Sequence, residues 1–278
     1  MGSHHAFALG LVASTGCSLL VSLDDLDRGS DAAADAADVP DVEVADVSDA
    51  GVADAIDELT KTTACAIDAS TVFCDDFDDS DAQVFPKWSN VIGSRGATVV
   101  RIASDASSPF CAELSVPTND GGPQALLQRS FATTPASHVT YAFNLRVVRY
   151  PSGNARFNAM SVQYASSQNA TAFLALRQAS AIFEESYIDD GGVFDSLTHT
   201  LTQALPLGVW VAVRIEWTLG DAGTLAQVFV GGAPATAQVA LDPRAIFGAP
   251  TLFSGVSYQD PGADGAVIDI DDVVIGYD

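Results

Sequence analysis

Residues 209–218, Val-Trp-Val-Ala-Val-Arg-Ile-Glu-Trp-Thr, constrain the fold of this chain more than any other stretch. Val209, Val211, Val213, Ile215 and Trp217 fall on one side of an extended chain. Trp210, Ala212, Arg214, Glu216 and Thr218 fall on the other. A period of two with one apolar side specifies a strand covered on one face. The same character recurs from about residue 64 to the end. Short runs rich in β-branched and aromatic residues alternate with turn clusters such as 117–122, 150–154, 189–192, 220–223 and 260–265. The pattern predicts strands near 71–77, 97–103, 110–116, 124–131, 138–149, 156–165, 171–178, 181–188, 194–201, 209–219, 224–230, 236–241, 251–258 and 266–276. Helical periodicity is absent over this span, apart from one turn near 242–247. That many strands without helices, in a segment with no internal repeat, predict an all-β fold: a two-sheet antiparallel jelly-roll sandwich.

The folded segment begins where another kind of sequence stops. Residues 24–60 hold 13 acids against one base, Arg28, which is half of the chain's net charge of −24. They contain no aromatic residue and repeat Asp and Ala. Such a segment cannot bury enough apolar surface to offset chain entropy, and its like charges extend it. It reads as a disordered acidic linker. A low-affinity calcium tail is the competing reading, but no glycine-containing calcium-loop pattern occurs in it. The domain plan is therefore 1–16 leader, 17–63 linker, 64–278 sandwich.

The charge excludes some partners. Nucleic acid requires a basic surface, and 12 Lys and Arg face 36 acids here. A basic patch for anionic lipid is excluded on the same ground. No apolar run reaches the roughly 20 residues of a membrane-spanning helix. A monomer is expected, touching membrane only through a lipid anchor.

That anchor is suggested by Ala6 to Ala13, a short apolar run, followed by Ser14-Thr15-Gly16-Cys17. Small residues before a cysteine resemble the lipobox of bacterial lipoprotein signal peptides. The resemblance implies that Cys17 is the lipidated residue and that the protein is exported. With Ser18 next and no Asp there, it implies an outer-membrane lipoprotein, periplasmic or at the cell surface. Two features depart from the pattern: Ser14 stands where Leu is usual, and residues 1–5 carry no Lys or Arg. The competing reading is a buried apolar N-terminal segment.

Within the sandwich, Phe73-Cys74-Asp75-Asp76-Phe77 opens the domain, with Trp88 soon after. Val211 to Trp217, Val230-Gly231-Gly232 and Ile270 to Ile275 follow in that order. Together these are similar to concanavalin A-like lectin/glucanase domains of the LamG type, over roughly 70–278. The resemblance implies a glycan or another envelope or extracellular component as partner. It also implies one structural Ca²⁺ where first and last strands meet, held by Asp271 with Asp75 or Asp76 nearby. Capping of strand ends is the alternative role for these carboxylates.

The three-carboxylate strand of hydrolases with this fold is absent. Its nearest counterpart places Glu185, Tyr187 and Asp189 on one face, with Tyr in the middle. Glu185 and Asp189 would stand about 13 Å apart along a strand, too far for a glycosidase pair. The motifs of the lyase branch are also absent, though Gln163, Tyr164, Arg177 and Tyr187 are of the right types. No G-x-S-x-G occurs, and His138 and His199 read as strand residues. Tyr164, Arg177, Glu184, Glu185 and Tyr187 lie on three consecutive strands and are the candidate ligand residues. The expectation is a non-catalytic binding domain. The alternatives are a structural or adhesive envelope protein, and a divergent glycoside hydrolase or polysaccharide lyase. Among the four cysteines, Cys65–Cys74 is the favoured disulfide, Cys74–Cys111 competes, and no CxxC pair suggests zinc.

Overall fold

The computed structural model describes Cys65 and residues 70–78, 85–105, 109–118, 121–163, 170–188, 193–220, 223–241 and 248–277. Cys17, the acidic linker, Tyr164, Asp189 and the turn near 242–247 lie outside them. Sixteen strands follow one another: β1 (Thr71–Asp75), β2 (Asn90–Gly93), β3 (Thr98–Ala103), β4 (Phe110–Ser115), β5 (Ala125–Ser130), β6 (His138–Arg149), β7 (Phe157–Gln163) and β8 (Thr171–Arg177). Then come β9 (Ser180–Ile188), β10 (Phe194–Thr200), β11 (Trp210–Thr218), β12 (Leu225–Val230), β13 (Ala233–Pro234), β14 (Val239–Ala240), β15 (Thr251–Gln259) and β16 (Val267–Tyr277). A single 3₁₀ turn, Ser152–Asn154, is the only helical element among the described residues.

The strands form two sheets. Sheet A runs β13-β12-β11-β6-β16-β4-β3, with β1 also on β16 and β14 on β12; sheet B runs β10-β9-β8-β7-β15-β5-β2. All the strand pairs are antiparallel. The molecule is the expected two-sheet jelly-roll sandwich. The alternation read in the sequence gives each sheet its inner face. Val213, Ile215 and Trp217 of β11 are buried, as are Tyr141, Phe143 and Leu145 of β6. Sheet B answers with Phe157, Leu174, Leu176 and Phe183. These residues belong to one contiguous core. A polar contact crosses it: the Tyr141 hydroxyl shares a hydrogen bond with Ser254 Oγ on β15.

The last strand holds sheet A together. β16 pairs with β6 on one side; on the other it pairs first with β4, through Val267–Ile270, and then with β1, through Val273–Gly276. Its inward residues change phase on the way, from Ile268 and Ile270 to Val273 and Ile275. A register shift between Asp271 and Val274, with Asp272 at φ 48°, absorbs the extra residue. This is a β-bulge, and it places two acids side by side at the point where β4 gives way to β1.

The favoured disulfide is present: Cys65 bonds to Cys74 on β1, with Cα atoms 5.6 Å apart. Cys111 is a free, buried thiol on β4. Burial, with help from Asp269, pushes its pKa up to about 12, so it is held as the neutral thiol.

The opening motif is explained by its contacts. Phe73 and Phe77 pack against Trp88, the first edge-on at 5.1 Å and the second stacked at 6.4 Å. Asp75 is buried beneath them, and the Trp88 indole donates to its Oδ2 at 2.6 Å. The Phe77 N–H donates to Oδ1 at 3.1 Å, and Lys87 lies 3.4 Å from the same oxygen.

Candidate functional site

The outward face of sheet B carries a groove of about 650 Å³. Its walls come from β2, β5, β7, β8, β9 and β15, and from the turns that precede β7 and follow β15. The period of two aims the side chains. On β9, Ala181, Phe183 and Tyr187 join the core, so Glu184 and Ser186 turn outward to the groove. On β8, Ala172, Leu174 and Leu176 point in, while Thr171, Phe173 and Arg177 point out. Two bulges extend the lining. A register shift between Asn158 and Met160 brings Asn158 to the groove along with Ser161 and Gln163. Another between Ser254 and Tyr258 brings Ser257 and Tyr258 there along with Phe253.

One end of the groove is an ordered polar cluster. Arg156 Nη1 donates to Glu184 Oε2 at 2.8 Å, and its Nε and Nη2 donate to Asn158 Oδ1 at 3.3 and 3.2 Å. The Arg156 backbone N–H donates to Asp260 Oδ2 at 2.7 Å, and the Tyr258 hydroxyl donates to Oδ1 of the same carboxylate at 3.2 Å. Burial and the neighbouring Asp260 raise the Tyr258 pKa and keep the phenol protonated. Gln124 on the far side donates to the Ser257 carbonyl at 3.1 Å. Phe173, Phe253, Ile92 and Leu126 supply apolar surface between these groups.

Two of the five candidate ligand residues, Arg177 and Glu184, line this groove, and so does Gln163. Glu185 and Tyr187 face the other way, because adjacent residues of a strand cannot share a face. Glu185 is fully buried, and Tyr187 sits in the core with its hydroxyl donating to Asp195 Oδ2 at 2.9 Å. Tyr164 is not among the described residues. Arg156, Asn158, Gln124, Tyr258 and Asp260 were not singled out. Arg156, Tyr258 and Asp260 stand at or beyond strand ends, where alternation gives no face. Asn158 and Tyr258 sit beside bulges that displace it.

The candidate metal residues occupy the expected junction, since β1 does pair with β16. Asp75 is engaged by Trp88, Phe77 and Lys87, Asp76 Oδ1 lies 3.6 Å from Lys87, and Asp271 Oδ1 accepts the Asp272 N–H at 2.8 Å. Among the described residues no group of three or more His, Cys, Asp and Glu side chains is placed to hold a metal ion. His138, half-buried at the start of β6, shares a hydrogen bond with Thr140; His199 lies on β10, and neither lines the groove.

Fold and groove define the class: an antiparallel jelly-roll sandwich with a mixed polar and aromatic groove on one sheet. No protein-family model matches the chain, and no curated protein matches it. Solved structures do resemble it. An alginate lyase from Pseudomonas aeruginosa is 20% identical with a TM-score of 0.44, over 60% of this chain and 83% of that one. The family 7 alginate lyase A1-II′, in complex with substrate, is 13% identical with a TM-score of 0.48, over 64% and 81%. The binding domain of Paraclostridial mosquitocidal protein 1 is 14% identical with a TM-score of 0.45, over 75% and 49%.

Proposed function

We propose that this protein is a non-catalytic carbohydrate-binding protein of the cell envelope, exported and held by a lipid on Cys17, with the sheet B groove as its site. The observation that carries the reading is the pairing of planar polar groups with aromatic surface in one groove. Arg177 and Gln163 offer a guanidinium and an amide beside Phe173 and Phe253, and the paired Arg156 and Asn158 form a polar wall at one end. Sugars need both, since their edges carry hydroxyls and their ring faces carry C–H. A purely structural envelope protein needs no such groove. Export is supported by the Cys65–Cys74 disulfide, because such bonds persist in oxidising compartments. The LamG-like opening and closing motifs support the lectin-type reading as an analogy of fold.

A hydrolase or lyase is the second reading, and Glu184 and Asp260 in one groove are what favour it. Their contacts weigh against it. Glu184 spends its carboxylate on Arg156, and Asp260 accepts from the Arg156 backbone and from Tyr258. An acid catalyst has to present a proton to the leaving oxygen instead. Tyr258, with its raised pKa, is a poor base for elimination. Affinity electrophoresis of the full chain through a panel of soluble polysaccharides, with parallel assays for reducing ends and unsaturated products, tests the choice. Retardation without product is expected. Product from a retarding polysaccharide would convert the protein into an enzyme.

A further inference from the structure

The groove contains a slot whose width selects what enters it; this inference rests on the carbohydrate reading above. Strand register places Phe173 of β8, Ser161 of β7 and Phe253 of β15 on one row across the sheet. Ser161 is buried, and the two phenylalanines are half-exposed on either side of it. Two strand spacings separate them, about 9–10 Å between their backbones. A flat ring between two carbon surfaces needs about 7–8 Å, twice the optimal carbon–carbon separation, and two stacked rings need about 11 Å. With the two phenyl rings facing each other across Ser161, a spacing of that size leaves the slot room for one ring layer. Its floor runs along β7, with an amide at each end, Asn158 and Gln163. Among the described residues, the ionic groups lining the groove are Arg156, Arg177, Glu184 and Asp260, two of each sign, so their charges balance.

We propose that this slot takes a single pyranose ring of a neutral glycan, standing over Ser161 with one face toward Phe173 and the other toward Phe253. It selects rings whose hydroxyls are all equatorial. Both faces of such a ring present only C–H, while its polar edges reach the amides at the ends of the slot. An axial hydroxyl sets an oxygen against a phenylalanine and leaves it without a hydrogen-bond partner.

Calorimetry of the full chain with cellohexaose and with mannohexaose tests this, because mannose carries an axial hydroxyl. Cellohexaose is expected to bind about tenfold more tightly or better, the scale of one lost hydrogen bond. Phe173→Ala and Phe253→Ala are each expected to weaken cellohexaose about tenfold. Ser161→Leu fills the slot and is expected to abolish binding; melting curves check that it folds. The two alanine variants alter outward side chains and leave the core intact. Equal or tighter binding of mannohexaose, or binding of cellohexaose that none of the three variants changes, overturns the slot and leaves the groove reading standing. Failure of the chain to bind any glycan overturns the reading beneath it.

Discussion

Asp75 shows how a single acid organises the start of the domain. Its carboxylate is buried, yet it accepts from an indole and a backbone amide and faces an ammonium. Trp88→Phe keeps the aromatic packing and removes the indole donor. Hydrogen bonds to charged groups contribute about 1.5–3 kcal/mol, so urea unfolding is expected to show a loss of that size. An unchanged midpoint would mean that Trp88 matters only as a hydrophobe. Asp75 and Asp269 are both shifted upward, each chiefly by burial. A raised folded pKa contributes stability that is complete below the ordinary carboxylate range and is lost as pH climbs through the raised value. The melting temperature is therefore expected to fall as pH rises above the ordinary carboxylate range at about pH 4. The general charge repulsion of a chain at −24 acts in the same direction. Asp269→Asn separates the two effects, since it removes one buried titration and is expected to flatten the slope. A slope unchanged in that variant would assign the whole effect to surface repulsion.

At the level of elements, the irregular strands position the groove. Gly255 lies in the β15 bulge at φ 121°, and a Cβ there would stand 2.3 Å from the Ala125 carbonyl oxygen and 2.4 Å from Leu114 Cδ2. Gly255→Ala is expected to destabilise by about 3 kcal/mol or more, through overpacking and a disfavoured φ together, read as a lowered urea midpoint. A variant of normal stability would show that the bulge tolerates a side chain. Such irregularities also mark the limit of what sequence displays. The long alternating strands were legible: β6, β8, β9, β11, β15 and β16 fall within a residue or two of the predicted spans. The short Asn90–Gly93 strand was not, because four residues carry too little alternation to stand out. Alternation also implies that Glu184 and Glu185 face opposite ways, but it does not say which faces solvent. That was settled by Tyr187 and Phe183 joining the core. Arg156 and Asp260 reach the groove from turns, where side-chain direction follows the backbone path and no periodicity reports it.

Across the whole molecule, two sheets share one core and only one of them carries the groove. The disulfide ties Cys65, just past the acidic linker in the sequence, to the first strand of sheet A, which is the sheet away from the groove. The chain's charge bears on ligand choice as well. At −24 it repels polyanions at long range, and the locally balanced groove offers them no compensating excess of cations. On the proposed reading, neutral glycans meet neither obstacle. The most direct test of the central claim is a glycan array probed with the full chain and with a Phe173→Ala/Phe253→Ala double variant of matching thermal stability. The account predicts that the full chain binds a restricted class of neutral glycans and that the double variant binds none. A wild-type chain silent on the array, or a double variant with the same pattern as wild type, would contradict it.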